Sequence, residues 1–155
     1  MRRISYIFLL FNFLLPVSAQ KLVIGSEIPS FRSLKDDILW MTEMPEERPI
    51  LIDFYQPSNP TCVANLKRLS RIAESKRADL DVVVMTKEPD ESLKVWSGIK
   101  YIGVDTIGGD FFEKCHVQYL PYTMLVDEKS RLLWHGILNT LSDEMLDEIL
   151  REYGR

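Results

Sequence analysis

Pro49-Ile50-Leu51-Ile52-Asp53-Phe54-Tyr55-Gln56-Pro57-Ser58-Asn59-Pro60-Thr61-Cys62 is the stretch around which the rest of the chain is read. A β-type apolar run carries an acidic residue, Asp53, near its end and then breaks into a Pro/Ser/Asn turn. The turn opens a helix at Pro60, a residue suited to a first helical turn, and Cys62 falls in that turn. A strand that delivers a thiol to a helix N-terminus is a redox arrangement, because the helix dipole favours the thiolate there.

Outward from this stretch, the 155-residue chain suits one domain with a real core, and 46% hydrophobic with 27% charged residues is ordinary for a globular protein. The first nineteen residues read differently. Arg2 and Arg3 form a positive start, Ile7 to Val17 is apolar apart from Asn12, and Val17-Ser18-Ala19 is a small-residue cleavage site. The expectation is a signal peptide over 1–19 and a folded domain over 20–155. An uncleaved anchor is the alternative, but Ile4–Val17 is 14 residues, short of the roughly 20 needed to span a bilayer. No cysteine near the cleavage site could accept a lipid, so no stable membrane span is expected after signal removal. Loss of Arg2 and Arg3 moves the formal charge from −4 to −6. An acidic chain without basic clusters argues against nucleic acid as a partner. Export implies a disulfide-permissive compartment, periplasmic or extracellular, yet Cys62 and Cys115 allow at most one internal bridge.

Residues 20–33 read as an extended lead-in punctuated by Gly25 and Pro29. Ser33 caps an expected helix whose apolar face is Leu34, Ile38, Leu39 and Met41 and which Met44-Pro45 ends. The helix opened at Pro60 runs to about Ser75, with Val63, Leu66, Leu69, Ile72 and Ala73 as its buried stripe. Asp81–Met85 is a buried strand, Glu88–Trp96 a helix, Tyr101–Val104 a strand, and a short helix after Gly108-Gly109 ends near Cys115. Leu120–Asp127 and Arg131–Gly136 flank a short turn as an antiparallel hairpin. Ser142 caps a last helix with Met145, Ile149 and Tyr153 on its apolar face. The order implies an α/β fold with a mixed central sheet and helices on both faces. No repeats or linkers interrupt it.

The opening stretch resembles the active-site segment of the thioredoxin superfamily, which reads D-F-W-x-x-W-C-x-x-C. Asp53 and Phe54 fall in place, Tyr55 takes a Trp position, Cys62 is the second cysteine, and Asn59 stands where the first, nucleophilic cysteine would be. Asp53 lies nine residues before Cys62, the family's spacing for a strand carboxylate that takes a proton from the second cysteine. Leu120-Pro121-Tyr122-Thr123 resembles the family's cis-proline strand, where the backbone before the proline docks an extended substrate. Gly25-x-x-x-Pro29-x-Phe31 is similar to the lead-in of exported TlpA/ResA-type thioredoxins and of peroxiredoxins. The resemblance spans residues 22–153 and implies a thioredoxin fold of the thiol–disulfide oxidoreductase lineage.

The departures are equally specific. Thiol–disulfide exchange needs an exposed, low-pKa thiolate to attack and a second thiol to resolve. Asn59 cannot attack. Ser58 replaces the second Trp, and Asn65 and Lys67 stand where TlpA/ResA-type proteins place a glutamate and a kinking proline. The resemblance then implies a redox-degenerate member whose groove beside Pro121 holds an extended peptide or protein client. Leu120 and Pro121 would present backbone, with Asn59, Pro60, Thr61 and Tyr55 on the opposite lip.

Each of these residues has a plainer role beside the functional one. Asp53 is either a proton acceptor for Cys62 or a strand carboxylate tied to a polar neighbour. Cys62 and Cys115 are buried core thiols, or a single-thiol redox pair in which Cys62 reacts and Cys115 resolves, or a bridge adding about 4 kcal/mol in the chain-entropy model. The single-thiol enzyme would use thiol–disulfide exchange or peroxide reduction, although the peroxiredoxin P-x-x-x-T/S-x-x-C pattern is unmatched. His116 and His135 complete the soft metal ligands, giving a metal carrier as a third reading. No close-spaced ligand pair supports it, so no metal or other cofactor is expected.

Overall fold

β2 (Ile50–Tyr55) is the centre of the molecule, and all six of its residues are buried. It pairs in parallel with β3 (Asp81–Thr86), with Ile50 opposite Asp81 and Tyr55 opposite Thr86. On its other side it pairs antiparallel with β5 (Tyr122–Val126), where Asp53 meets Thr123 and Phe54 meets Tyr122. β4 (Tyr101–Asp105) extends the parallel half, β6 (Leu132–Gly136) closes the antiparallel half, and β1 (Ile38–Trp40) caps β4. The mixed sheet runs β1-β4-β3-β2-β5-β6. The computed structural model describes residues 22–34, 36–45, 48–106 and 108–154; the signal peptide expected over 1–19 lies outside the described residues. Among them, no helix is long and apolar enough to cross a membrane.

Because strand side chains alternate, the sheet divides the core into two layers. Ile52, Phe54, Val83, Met85 and Met124 face one layer, roofed by Ile28, Phe31 and Leu34 of the lead-in and by Phe111 and Phe112 of α2 (Phe111–Lys114). Leu51, Tyr55, Val82, Val84 and Leu125 face the other, covered by α1 (Pro60–Ser75) and α3 (Asp143–Tyr153). Pro60 at N1 of α1 gives up no intrahelical bond, since first-turn amides have no partner within the helix. The helix buries Cys62, Leu66, Leu69, Ile72 and Ala73. A fully buried leucine stabilises by about 1.5–3 kcal/mol. Val63, expected in that stripe, is 40% exposed, one residue around the helix from Cys62.

Three expectations are corrected. Among the described residues of this segment, 34 and 36–44 form a turn and β1 rather than a helix. Ile38 points inward while Leu39 is 55% exposed, the period of a strand. Pairing of Ile38 with Asp105 and of Trp40 with Gly103 covers what would be an open edge of β4. The expected helix over Glu88–Trp96 is a 3-10 turn at Glu91–Val95, which Asp90 caps by accepting from the Ser92 amide at 3.0 Å. Pro89 disfavours helical backbone at Glu88, so a helix cannot begin there. In α3, capped by Ser142 as expected, Met145 is mostly exposed and Leu146 is the buried residue.

The β5–β6 hairpin is set by Asp127, whose carboxylate accepts from the amides of Lys129 and Arg131 at 2.8 Å and from Arg131 Nε at 2.7 Å. The lead-in runs beside β6. Gly25 donates to the Leu132 carbonyl at 2.7 Å and Leu132 returns a bond to Ser26 at 2.9 Å.

Candidate functional site

The turn between β2 and α1 ends in a residue that uses both ends of its side chain. Asn59 is the N-cap of α1, in extended backbone at φ −95° and ψ 110°. Its Oδ1 accepts from the amides of Thr61 at 3.0 Å and Cys62 at 3.4 Å, two donors that the helix cannot satisfy itself. Its Nδ2 donates to the Leu120 carbonyl at 3.3 Å. Leu120 precedes Pro121 through a cis peptide bond. One amide therefore joins the helix start to the loop that enters β5. Pro60 and Thr61 are exposed beside it, and Pro121 is buried.

One turn further in, Cys62 is fully buried. Burial pushes its thiol up, the backbone of Gln56 pulls it down, and the charge of Asp53 raises it again. Asp53 is fully buried in the middle of the sheet. Burial pushes its carboxyl up to about 7, against the downward pull of the Thr123 hydroxyl, which donates to Oδ1 at 2.8 Å. Its Oδ2 has no hydrogen-bond partner among the described residues. Burial and the charge of Asp53 both disfavour the Cys62 thiolate, so the thiol keeps its proton. That state is a poor nucleophile, because the thiolate is the reactive species.

Cys115 ends α2 on the opposite face of the sheet, buried in the layer of Phe54 and Phe112. Burial, and then the charge of Asp105, hold its thiol far above the usual range. Both cysteines are unpaired. With the sheet between them they cannot meet the Cα separation of about 4.4–6.8 Å that a disulfide needs. Cys115 is therefore not placed beside Cys62, where a resolving thiol would have to sit. His135 is also engaged elsewhere, its Nδ1 lying 2.5 Å from the Tyr122 hydroxyl. Among the described residues no three His, Cys, Asp or Glu side chains are placed to hold a metal ion.

Leu120 also lines a groove of about 320 Å³ at the C-terminal ends of β2 and β3. Tyr55 and Gln56 form one wall, Thr86 to Glu88 the second, and Phe112, Glu113 and the loop from Val117 the third. The Tyr55 hydroxyl donates to Asp90 Oδ2 at 2.9 Å. Burial and this bond to a carboxylate hold the phenol above its ordinary range. Tyr55 and Leu120 thus line the groove, Asn59 is bonded to Leu120, and Pro60 and Thr61 lie at the helix start. Cys62 and Asp53 are buried beneath. Sequence reading missed Thr86–Glu88, Phe112 and Glu113, which come from three separate segments. It also missed the capping role of Asn59, although an Asn directly before a Pro at N1 is a strong signal for one.

The chain has a thioredoxin fold: its mixed six-stranded sheet with flanking helices fits solved thioredoxin-like structures. It is similar to the thioredoxin domain of a thiol–disulfide oxidoreductase from Bacteroides vulgatus (TM-score 0.58, 12% identity, 85% of this chain and 99% of that one). It is also similar to a secreted disulfide oxidoreductase of Mycobacterium tuberculosis, described as homologous to E. coli DsbE (TM-score 0.53, 18% identity, 69% and 83%). A third likeness is a thioredoxin-like protein of Porphyromonas gingivalis (TM-score 0.51, 17% identity, 70% and 76%). At these identities the likeness is one of fold. No protein-family model matches the chain, and no curated protein matches it.

Proposed function

We propose that this chain is an exported thioredoxin-like protein of the thiol–disulfide oxidoreductase lineage that no longer performs dithiol exchange and instead holds an extended peptide or protein segment beside Pro121. One observation carries this reading. At the place of the attacking thiol stands Asn59, whose amide is committed to the helix start and to Leu120, while Cys62 beneath it is fully buried. Export is supported by the leader-like sequence over 1–19 and by the secreted character of the Mycobacterium tuberculosis relative in fold. A docked strand would exchange its own amide for the Asn59 Nδ2 at the Leu120 carbonyl. One hydrogen bond would replace another at little net cost.

Two measurements test the two halves. In an insulin disulfide-reduction assay with dithiothreitol the mature protein is expected to add nothing to the uncatalysed rate; turnover at the level of a dithiol relative would overturn the loss of exchange. In an NMR titration with reduced, carboxymethylated α-lactalbumin, shifts are expected at Thr61, Cys62 and Leu120. Unmoved resonances there at saturating polypeptide would remove the binding half.

A further inference from the structure

We propose that the groove between Tyr55, Phe112 and Leu120 is the side-chain subsite of that docking site and takes a basic residue, arginine or lysine, of the extended segment. This rests on the peptide-holding reading above and names its substrate class. Leu120 belongs both to the groove and to the contact with Asn59, so a strand laid along Leu120 passes directly over the groove mouth. An extended strand sends alternate side chains to opposite sides, which lets one of them enter.

The chemistry of the lining selects the occupant. Tyr55, Phe112 and Tyr119 supply aromatic surface, and Tyr119 is 52% exposed. Glu88 and Glu113 are exposed residues of the same lining, and neither makes an ion pair among the described residues. The neighbouring acids are already engaged. Glu91 pairs with Lys94, Asp110 pairs with Lys114, and Asp90 accepts from Tyr55 and Ser92. An apolar stem with a cationic head suits such a lining, since the stem covers rings while the head meets carboxylates.

The protein already demonstrates the cation platform with its own side chain. Lys87 holds its ammonium 5.2 Å from the centre of the Phe112 ring and has no carboxylate partner among the described residues. An arriving guanidinium would take over this ring face. Arginine should be preferred to lysine, because its planar, weakly hydrated head stacks on rings and bridges carboxylates. Lys87 would swing to solvent, relieving the repulsion between the two cations.

The test is an NMR titration of the mature protein with a nine-residue Gly/Ser host peptide carrying one central Arg, Lys, norleucine or Glu. Expected are about tenfold tighter binding of the Arg than of the norleucine peptide at low salt, with shifts at Phe112 and Tyr119, and a gap that narrows as salt is added. Glu88→Gln combined with Glu113→Gln should close the gap by weakening Arg binding far more than norleucine binding. Lys87→Met should widen it. All three substitutions lie on exposed side chains, so folding is not at stake. Equal binding of all four peptides at Leu120, or tightest binding of the Glu peptide, would overturn the basic subsite and leave peptide docking standing. No shift with any peptide up to millimolar concentration would remove both.

Discussion

Replacing Asp53 with asparagine should strongly change how stability depends on pH between about pH 4 and 8.5. The carboxyl is fully buried and its pKa is raised from 3.8 to about 7, with burial as the main cause. Below about pH 4 both folded and unfolded chains hold the proton and the group has no effect. Between 3.8 and about 7 the unfolded chain releases it while the folded chain keeps it, so stability falls as pH rises. Above about 7 both have released it and the slope from this group vanishes. A gap of about three pKa units corresponds to about 4 kcal/mol. Asparagine keeps an acceptor for the Thr123 hydroxyl and has no charge to desolvate. Its amide brings a new donor to the unpartnered side of the site, which shifts the whole curve by a constant. The quantity to read is therefore the difference in slope. Urea denaturation of both proteins at intervals from pH 4 to pH 8.5 should show the wild type losing about 4 kcal/mol relative to Asp53→Asn, nearly all of it below pH 7.5. Titrating groups that Asp53 does not influence cancel in that difference, and Cys62, which it does influence, keeps its proton across this range. Parallel curves would refute the reasoning and mean that Asp53 stays ionised in the folded state through unseen solvation.

Asn59→Ala removes two capping bonds and the tie to Leu120, and urea denaturation should show a loss of about 1–2 kcal/mol. Asn59→Asp keeps the cap and loses only the donor to Leu120, so it should recover most of that loss at neutral pH. A thiol count with Ellman's reagent on the native protein should find neither cysteine reactive, and two after denaturation without reductant, since both are buried and lie on opposite faces of the sheet. Leu69→Ala, at a fully buried position of α1, should lower stability by about 2–5 kcal/mol, measured by the same denaturation.

The parts of the fold that were legible in the sequence are those fixed by local chemistry. Ile50–Tyr55 is an apolar run broken only by Asp53 and flanked by Pro49 and Pro57, and a central strand buried on both faces needs that largely apolar composition. The start of α1 follows from Pro60, and the hairpin follows from the short turn after Asp127. What failed was decided by distant partners. Leu34, Ile38 and Met41 have helical spacing, yet β4 needed an edge strand and took Ile38–Trp40. Met145 and Leu146 are both apolar neighbours on α3, and only the angle at which the helix meets the sheet buries one and exposes the other. The layer into which each cysteine points depends on which side α1 and α2 cross, a property of topology rather than of spacing. The groove was illegible for the same reason, because Tyr55, Lys87 and Phe112 meet only once the sheet is assembled.

The Asn59 side chain spans 61 positions of sequence to reach Leu120. The first turn of a helix ordinarily frays, because its amides have no partner within the helix. Here the amide protons of Thr61 and Cys62 are held by the same group that holds the loop. Lifting the loop frees half of the clasp, and unwinding the turn frees the other half. The two should open together as one cooperative unit in hydrogen exchange, with the amides at 61 and 62 sharing a protection factor. A strand that takes the Leu120 carbonyl from Asn59 Nδ2 would then be felt as faster exchange at the start of the helix, without touching it.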